Sequence, residues 1–292
     1  IREIDPLNVI TATAYDDMDR PRVITEAVGL PEQRSRTSTY DLNGNLLTLT
    51  RKGQADVSLA MDQLTYHYPL ASGHRTGNRV DRVTDAQTTT AYTAALQLPA
   101  GQQTQNYRYT ANGQLKGDVL EDKYYTFYSG SGRVKGVYAD DDFSSDPLAT
   151  FTYDAAGSRL CKTAYNSSGA AIEKTWYLRD AGGALLCYHT QDLVASTTTE
   201  ELPIPGVGAY LRASAQVRYE LTDHLGNTRV SFTFDGSAIT IVEAHDYYPH
   251  GGLLPGRQLN SSSGSPLAYQ GQEYDAEVGL TAFNLRQYDA RL

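Results

Sequence analysis

The stretch YELTDHLGNTRVSF, residues 219–232, sets an acid (Asp223), an imidazole (His224) and a base (Arg229) around a glycine turn at Leu225-Gly226. Such groups could move protons in general acid–base chemistry. A second cluster, His245, Asp246 and His250, has the residue types that ligate a metal ion, and Glu273 with Asp275 is a carboxylate pair of the kind glycosidases use. Each of these is a local group, however. No distant partner is signalled, and the histidine spacing matches no zinc or non-haem iron signature. The ordinary roles are sufficient: Asp223 accepts bonds within a turn, Gly226 takes a positive φ, and Arg229 meets a carboxylate across strands. Two acids two residues apart on a strand share one face and need only solvent or a nearby arginine. His67, His74 and His189 are isolated. The reading assigns no catalytic residue, no metal site and no cofactor.

The elements that position these groups are strands and turns. Tyr-turn-strand units recur as YDDMDRPRV (15–23), YDLNGNLL (40–47), YTANGQL (109–115), YSGSGRV (128–134), YDAAGSRL (153–160) and YLRDAGGAL (177–185). With Tyr66 and Tyr92 filling the gap, the tyrosines step by 25, 26, 26, 17, 19, 25 and 24 residues. In ATFTYDAAGSRLCKTAY, Ala149, Phe151 and Tyr153 alternate with Thr150 and Thr152, the period of a strand, and the turn follows at once. Tyr40, Asp41 and Gly44 mark one turn; Tyr109 and Gly113, Tyr128 and Gly132, Tyr153, Asp154 and Gly157, and Tyr177 and Gly182 mark others. The tyrosine is expected to end the incoming strand with its hydroxyl available to water or a partner. Helical patterning is scarce, and residues 55–64 (ADVSLAMDQL) read as a strand or an irregular crossing. The fold class is therefore all-β, a strip of consecutive antiparallel hairpins whose contacts run mainly between neighbours.

Composition agrees with that vocabulary. The 292 residues hold 22 Tyr and 25 Gly against 2 Met and 1 Trp. A formal charge of -9 argues against nucleic acid or an anionic membrane as partner, and no window is apolar enough to insert in a membrane as a helix. Cys161 and Cys187 have no metal-site spacing, which leaves two half-buried thiols or one bridge between neighbouring strands. The chain begins without Met, which suggests a piece of a longer protein. Residues 191–216 interrupt the tyrosine rhythm with Ser, Thr, Pro and Gly and read as a crossover or soft boundary in which Leu202, Ile204, Val207 and Leu211 could still pack. That divides the chain into a hairpin strip over 1–190, this boundary, and a C-terminal segment over 217–292.

The C-terminal segment carries three ordered elements: Asp223-His224-Leu225-Gly226-Asn227-Thr228-Arg229; Tyr248-Pro249-His250-Gly251; and Gly271-Gln272-Glu273 with Asp275, Gly279-Leu280 and Arg286-Gln287-Tyr288-Asp289. Together with the upstream repeats they resemble the Rhs/YD-repeat proteins and their repeat-associated core domain. The resemblance implies a curled β-shell, or cocoon, that encloses a C-terminal effector, with the core domain closing one end. Its partners would be the remaining shell, the effector, and a bacterial secretion machine, with the wording of ELPIPG and DHLGNTRV favouring the type IX route over type VI. The protein would be secreted or held at the bacterial surface. The family's self-cleavage motif would lie beyond residue 292, so self-cleavage is carried over to no residue here. The competing expectation is a cell-surface adhesion protein whose exposed tyrosines, such as Tyr124, Tyr125 and Tyr128, stack on carbohydrate.

Overall fold

A computed structural model describes residues 2–4, 10–26, 34–52, 60–87, 102–247, 251–259, 264–283 and 286–290. Among them every regular element is a β-strand except one 3-10 turn, Tyr269–Gly271. The chain forms two compact units, residues 1–121 and 122–292.

In the first unit, seven strands lie side by side in chain order, from Arg2–Ile4 through Ile10–Tyr15, Pro21–Glu26, Arg34–Tyr40, Leu46–Lys52 and Ala60–His67 to Arg82–Asp85. The Ala60–His67 strand takes in the second half of the 55–64 stretch; 55–59 lie outside the described residues, as does Tyr92. Leu49, Leu64, Tyr66, Tyr68, Val83 and Tyr107 form its core. Burial pushes the Tyr66 hydroxyl up to about 12.

In the second unit each strand from Val134–Tyr138 to Leu253–Leu259 pairs antiparallel with the strand before it, and the sheet does not close into a barrel. Residues 191–216 take part: Thr197–Ile204 pairs with Leu185–Asp192 and with Gly208–Leu211. A separate three-stranded sheet, Glu273–Asp275, Leu280–Phe283 and Arg286–Tyr288, completes the unit. Directly opposed residues share a face of a sheet, so the register sorts the side chains. Lys162, Thr175 and Thr190 lie on one face, with Tyr177, Tyr188 and Glu201 and with Glu220, Ser231 and Glu243. Trp176, His189 and Glu200, and Tyr219, Phe232 and Ile241, lie on the other. The first face is largely polar and is buried or half-buried, with Phe151 and Ala149 among its apolar members. On the second, Leu178, Leu221, Phe234 and Ile241 are exposed.

One local device makes most of the turns. In Tyr153-Asp154-Ala155-Ala156-Gly157-Ser158, the Asp154 amide bonds the Ser158 carbonyl, the Gly157 amide bonds the Asp154 carbonyl, and the Asp154 carboxylate accepts from the Ser158 amide at 2.8 Å. Gly157 sits at φ 86 and the ladder is bulged at Tyr153, as expected of a tight turn closed by a left-handed residue. The same bonds recur from Asp41, Asp180 and Asp223. They recur also from Asn166, a turn that the tyrosine-aspartate pattern passes over because an amide replaces the acid. In the Asp180 turn the left-handed position belongs to Gly183, with Gly182 one residue before it. The first turn departs from the rule: Asp19 occupies the glycine position at φ 56. Because a side chain in that region costs roughly 1 kcal/mol, Asp19→Gly is expected to stabilise the first unit by about 0.5–1 kcal/mol in a urea titration.

The tyrosines link successive turns along an edge. The Tyr40 hydroxyl donates to the Pro21 carbonyl, Tyr68 to Leu46, Tyr109 to Val80, Tyr128 to Phe151 and Tyr247 to Thr228, at 2.8–3.2 Å. Arginines cover several of these rings, Arg20 over Tyr40 at 4.9 Å and Arg133 over Tyr153 at 5.4 Å among them.

Candidate functional site: the seam under the C-terminal hairpin

Residues 264–283 cross the polar face of the second unit and are bonded to it at successive points. The Gly264 carbonyl accepts from Arg218 at 3.2 Å, the Ser265 amide donates to Glu243 at 2.9 Å, the Ala268 carbonyl accepts from the Thr228 amide at 3.1 Å, and the Gln270 amide donates to Asn227 Oδ1 at 2.8 Å. Arg218 is 1% exposed and is held by Glu201 at 2.7 Å and Glu220 at 3.3 Å. Glu243 also accepts from Ser231 at 2.7 Å and lies 3.3 Å from His245 Nε2. Burial opposes its charge, but the bonds from His245, Ser231 and Ser265 win and hold its pKa below the usual 4.5. A carboxylate so shifted stabilises the fold above its unfolded pKa and ceases to do so as pH falls through the depressed value. Amide exchange at Ser265 should therefore quicken as pH falls below the ordinary glutamate value of 4.5 once intrinsic rates are removed, and Glu243→Gln should abolish that acid-side change.

Further on, the hairpin inserts its acids. Arg159 clasps Asp275 with two bonds of 2.9 Å and reaches Glu273 at 3.3 Å; Lys162 lies 3.0 Å from Glu277 and 3.4 Å from both Glu273 and Asp275. The Tyr177 hydroxyl donates to Glu273 Oε1 at 2.6 Å. Asp275 is wholly buried, and Arg159 and Lys162 are nearly so. Burial works against the charges of both bases, but the facing acids, Asp275 first, raise their pKa values. Burial pushes Tyr177 well above its ordinary value. It raises Glu273 too, with Asp275 beside it, against the opposing influence of Arg159 and Lys162. The arrangement is a buried ionic lock between segments more than a hundred residues apart in sequence.

The sequence elements meet here. Asp223 makes the turn, accepting from the Leu225 and Asn227 amides, and Gly226 stands at φ 81 against the backbone of Gln270 and Gly271. Gly251 lies against the ring of Tyr269, which stacks on Tyr288 at 6.1 Å and 18°. Gly279, at φ 68, closes the Asp275 turn before Leu280, which is buried. Arg229 donates to the His245 carbonyl at 2.9 Å and pairs with Asp246. His224 and Arg286 are exposed, and Asp289 follows the last strand. Tyr248, Pro249 and His250 lie outside the described residues, and among those described no group of three or more His, Cys, Asp or Glu is placed to hold a metal ion. Asp223 and Arg229 lie 3.8 Å apart, but His224 beside them is exposed, and the three do not form a proton relay. Both cysteines are free thiols. Tyr124 and Tyr125 are buried, contrary to the expectation that they are exposed, and Tyr128 is half-buried with its hydroxyl bonded to the Phe151 carbonyl. Arg159, Lys162 and Arg218 were absent from the sequence-based candidates; a base at each of two alternate-register strand positions is too common a pattern to mark them.

No protein-family model matches the chain. It is 31% identical over 148 residues to salivary gland surface protein 1 of Aedes aegypti, a match that takes in 48% of this chain and 4% of that protein. Among solved structures it is similar to a chain of the Photorhabdus luminescens Tc holotoxin pore, with TM-score 0.63 and 16% identity over 96% of its length, and to a chain of the TcdB2–TccC3 crystal structure, with TM-score 0.58 and 16% identity over 99%. It spans 13% and 17% of those chains.

Proposed function

We propose that this chain is a non-catalytic wall segment of an Rhs/YD-repeat shell that encloses a C-terminal effector absent from it. The fold shared with Tc toxin chains over nearly its full length carries the reading. In it, residues 1–190 are the YD-repeat strip, 191–216 the crossover or soft boundary, and 217–292 the repeat-associated core domain. The seam supports the last assignment, because a hairpin fixed across the sheet face can hold an end of the wall in place. Mixed polar and apolar burial, with Ser38, Arg51, Asp62, Thr163 and Arg218 among the buried residues, suits a wall with an inner surface that must also let a cargo go. The working mechanism is confinement: the wall excludes proteases and partners, and no bond is made or broken. The parent protein would be secreted or held at the surface of a bacterium, by the type IX route in preference to type VI.

The experiment is limited proteolysis of the full-length parent. The segment downstream of residue 292 should resist protease in the native protein and be digested once the shell is opened with denaturant. Equal digestion in both states sinks the reading, and binding of the isolated chain to a glycan surface would favour an adhesin instead.

A further inference from the structure

The seam holds more acid than base. Three carboxylates, Glu273, Asp275 and Glu277, come in with the hairpin and meet two cations, Arg159 and Lys162. The cations are not evenly shared. Arg159 commits both arms to Asp275 at 2.9 Å, and Lys162 lies nearest Glu277 at 3.0 Å. Glu273 is left with longer ionic contacts of 3.3 and 3.4 Å, and its one short contact, 2.6 Å, is with the neutral hydroxyl of Tyr177. Glu173, on the strand beneath, adds a further acid facing Lys162, Glu273 and Glu277. Tyr188 also faces Glu273, and Tyr153 faces Asp275. Glu273 is therefore the carboxylate with the weakest ionic contacts in a buried cluster that holds three acids against two bases, and burying an under-compensated charge is more costly than burying a neutral carboxyl.

We infer that the seam is a proton-binding latch in which Glu273 takes up a proton as the hairpin docks, so that docking tightens on mild acidification and loosens as the medium becomes alkaline. Proton and charge balance: one proton passes from solvent to the Glu273 carboxyl, and the cluster of Glu273, Asp275, Glu277, Arg159 and Lys162 becomes neutral. The direction follows from linkage. Burial raises Glu273 above the ordinary 4.5, so its favourable contribution is complete below that value and is lost as pH rises through the docked-state value. Glu243, at the other end of the segment, shifts the opposite way and acts only in stronger acid.

Hydrogen exchange on the full chain tests this. Protection of the Glu273–Asp275 and Leu280–Phe283 amides, corrected for intrinsic rates, should rise between about pH 8 and about pH 5, by at most roughly tenfold per pH unit for one proton. Glu273→Gln, which fixes the neutral form, should hold protection at the acid level across the range. An infrared difference spectrum between the two pH values supplies a reading that does not depend on stability: a buried carboxylic acid band should be present in the wild type and missing in Glu273→Gln. Protection that is flat or falls toward acid in the wild type overturns the latch, as does pH dependence retained in Glu273→Gln. Should that variant not fold, absence of the acid band in the wild type overturns it equally.

Discussion

Asp275→Ala is expected to destabilise the second unit by about 3–5 kcal/mol, the range for removing one partner of a buried ion pair. The size comes from what remains. Arg159 is 8% exposed and Lys162 is 9% exposed on their side chains, so both charges stay desolvated when their common carboxylate is gone. Glu273 reaches Arg159 by a single longer contact of 3.3 Å, which does not replace the two-armed clasp at 2.9 Å. A urea titration monitored by tyrosine fluorescence measures the loss, and exchange at the Leu280–Phe283 amides locates it. Replacing the pair together, with Arg159→Met and Asp275→Leu, should recover much of the loss, because an apolar pair of similar size carries no desolvation penalty. If Asp275→Ala shifts stability by less than about 1 kcal/mol, the seam is solvent-like and the lock is an illusion of short distances.

Gly251→Ala should produce the second large effect, about 2–3 kcal/mol, from a collision and a strained backbone acting together. Gly251 sits at φ 84, where an L side chain is disfavoured, and a Cβ there would run into the ring of Tyr269. That ring cannot swing away freely. It stacks on Tyr288 and lies 6.2 Å from Tyr247, whose hydroxyl is bonded to the Thr228 carbonyl. Tyr269→Ala on the Gly251→Ala background removes the collision and should return the part of the loss that came from it, leaving the backbone part of roughly 1 kcal/mol. Equal losses with and without the ring would assign the whole effect to φ. Since Gly251 and Asp275 act on one segment from opposite ends, the two substitutions should couple and not simply add.

The hairpins were legible in the sequence because their cause is local. An Asp whose carboxylate bonds the amide four residues ahead, with a glycine between, specifies its turn within five residues; Asp41, Asp154, Asp180 and Asp223 all do so, and all but Asp154 also bond the amide two ahead. By the same logic DHLGN, which looked chemical, is one more copy of the turn. The Asn166 turn escaped only because its first residue is an amide. The seam was not legible in this way. Arg159 meets Asp275 across 116 positions, and no periodicity connects them. Glu273 and Asp275 could be placed on one face of a strand, but whether that face met water or two buried cations depended on how the segment crossed the sheet. Tyr124 and Tyr125 illustrate the limit from the other side. Neighbours on a strand point to opposite faces, and both rings were expected to be exposed, yet both are buried.

The tyrosine links have a mechanical consequence. Within each unit strand pairing joins each hairpin to the next, and the hydroxyls of Tyr40, Tyr68 and Tyr109 in the first unit and of Tyr128 and Tyr247 in the second add a second attachment between neighbouring turns at the rim of their own sheet. A pull applied at one terminus would load the strand ladder and the rim together, releasing both for a hairpin before the next is strained. Extension should then proceed in discrete steps of one hairpin, each freeing on the order of 25 residues, or about 80 Å of chain. A sheet of this kind would tear one hairpin at a time, and replacing a single tyrosine by phenylalanine should lower the force of its own step while leaving the others where they were.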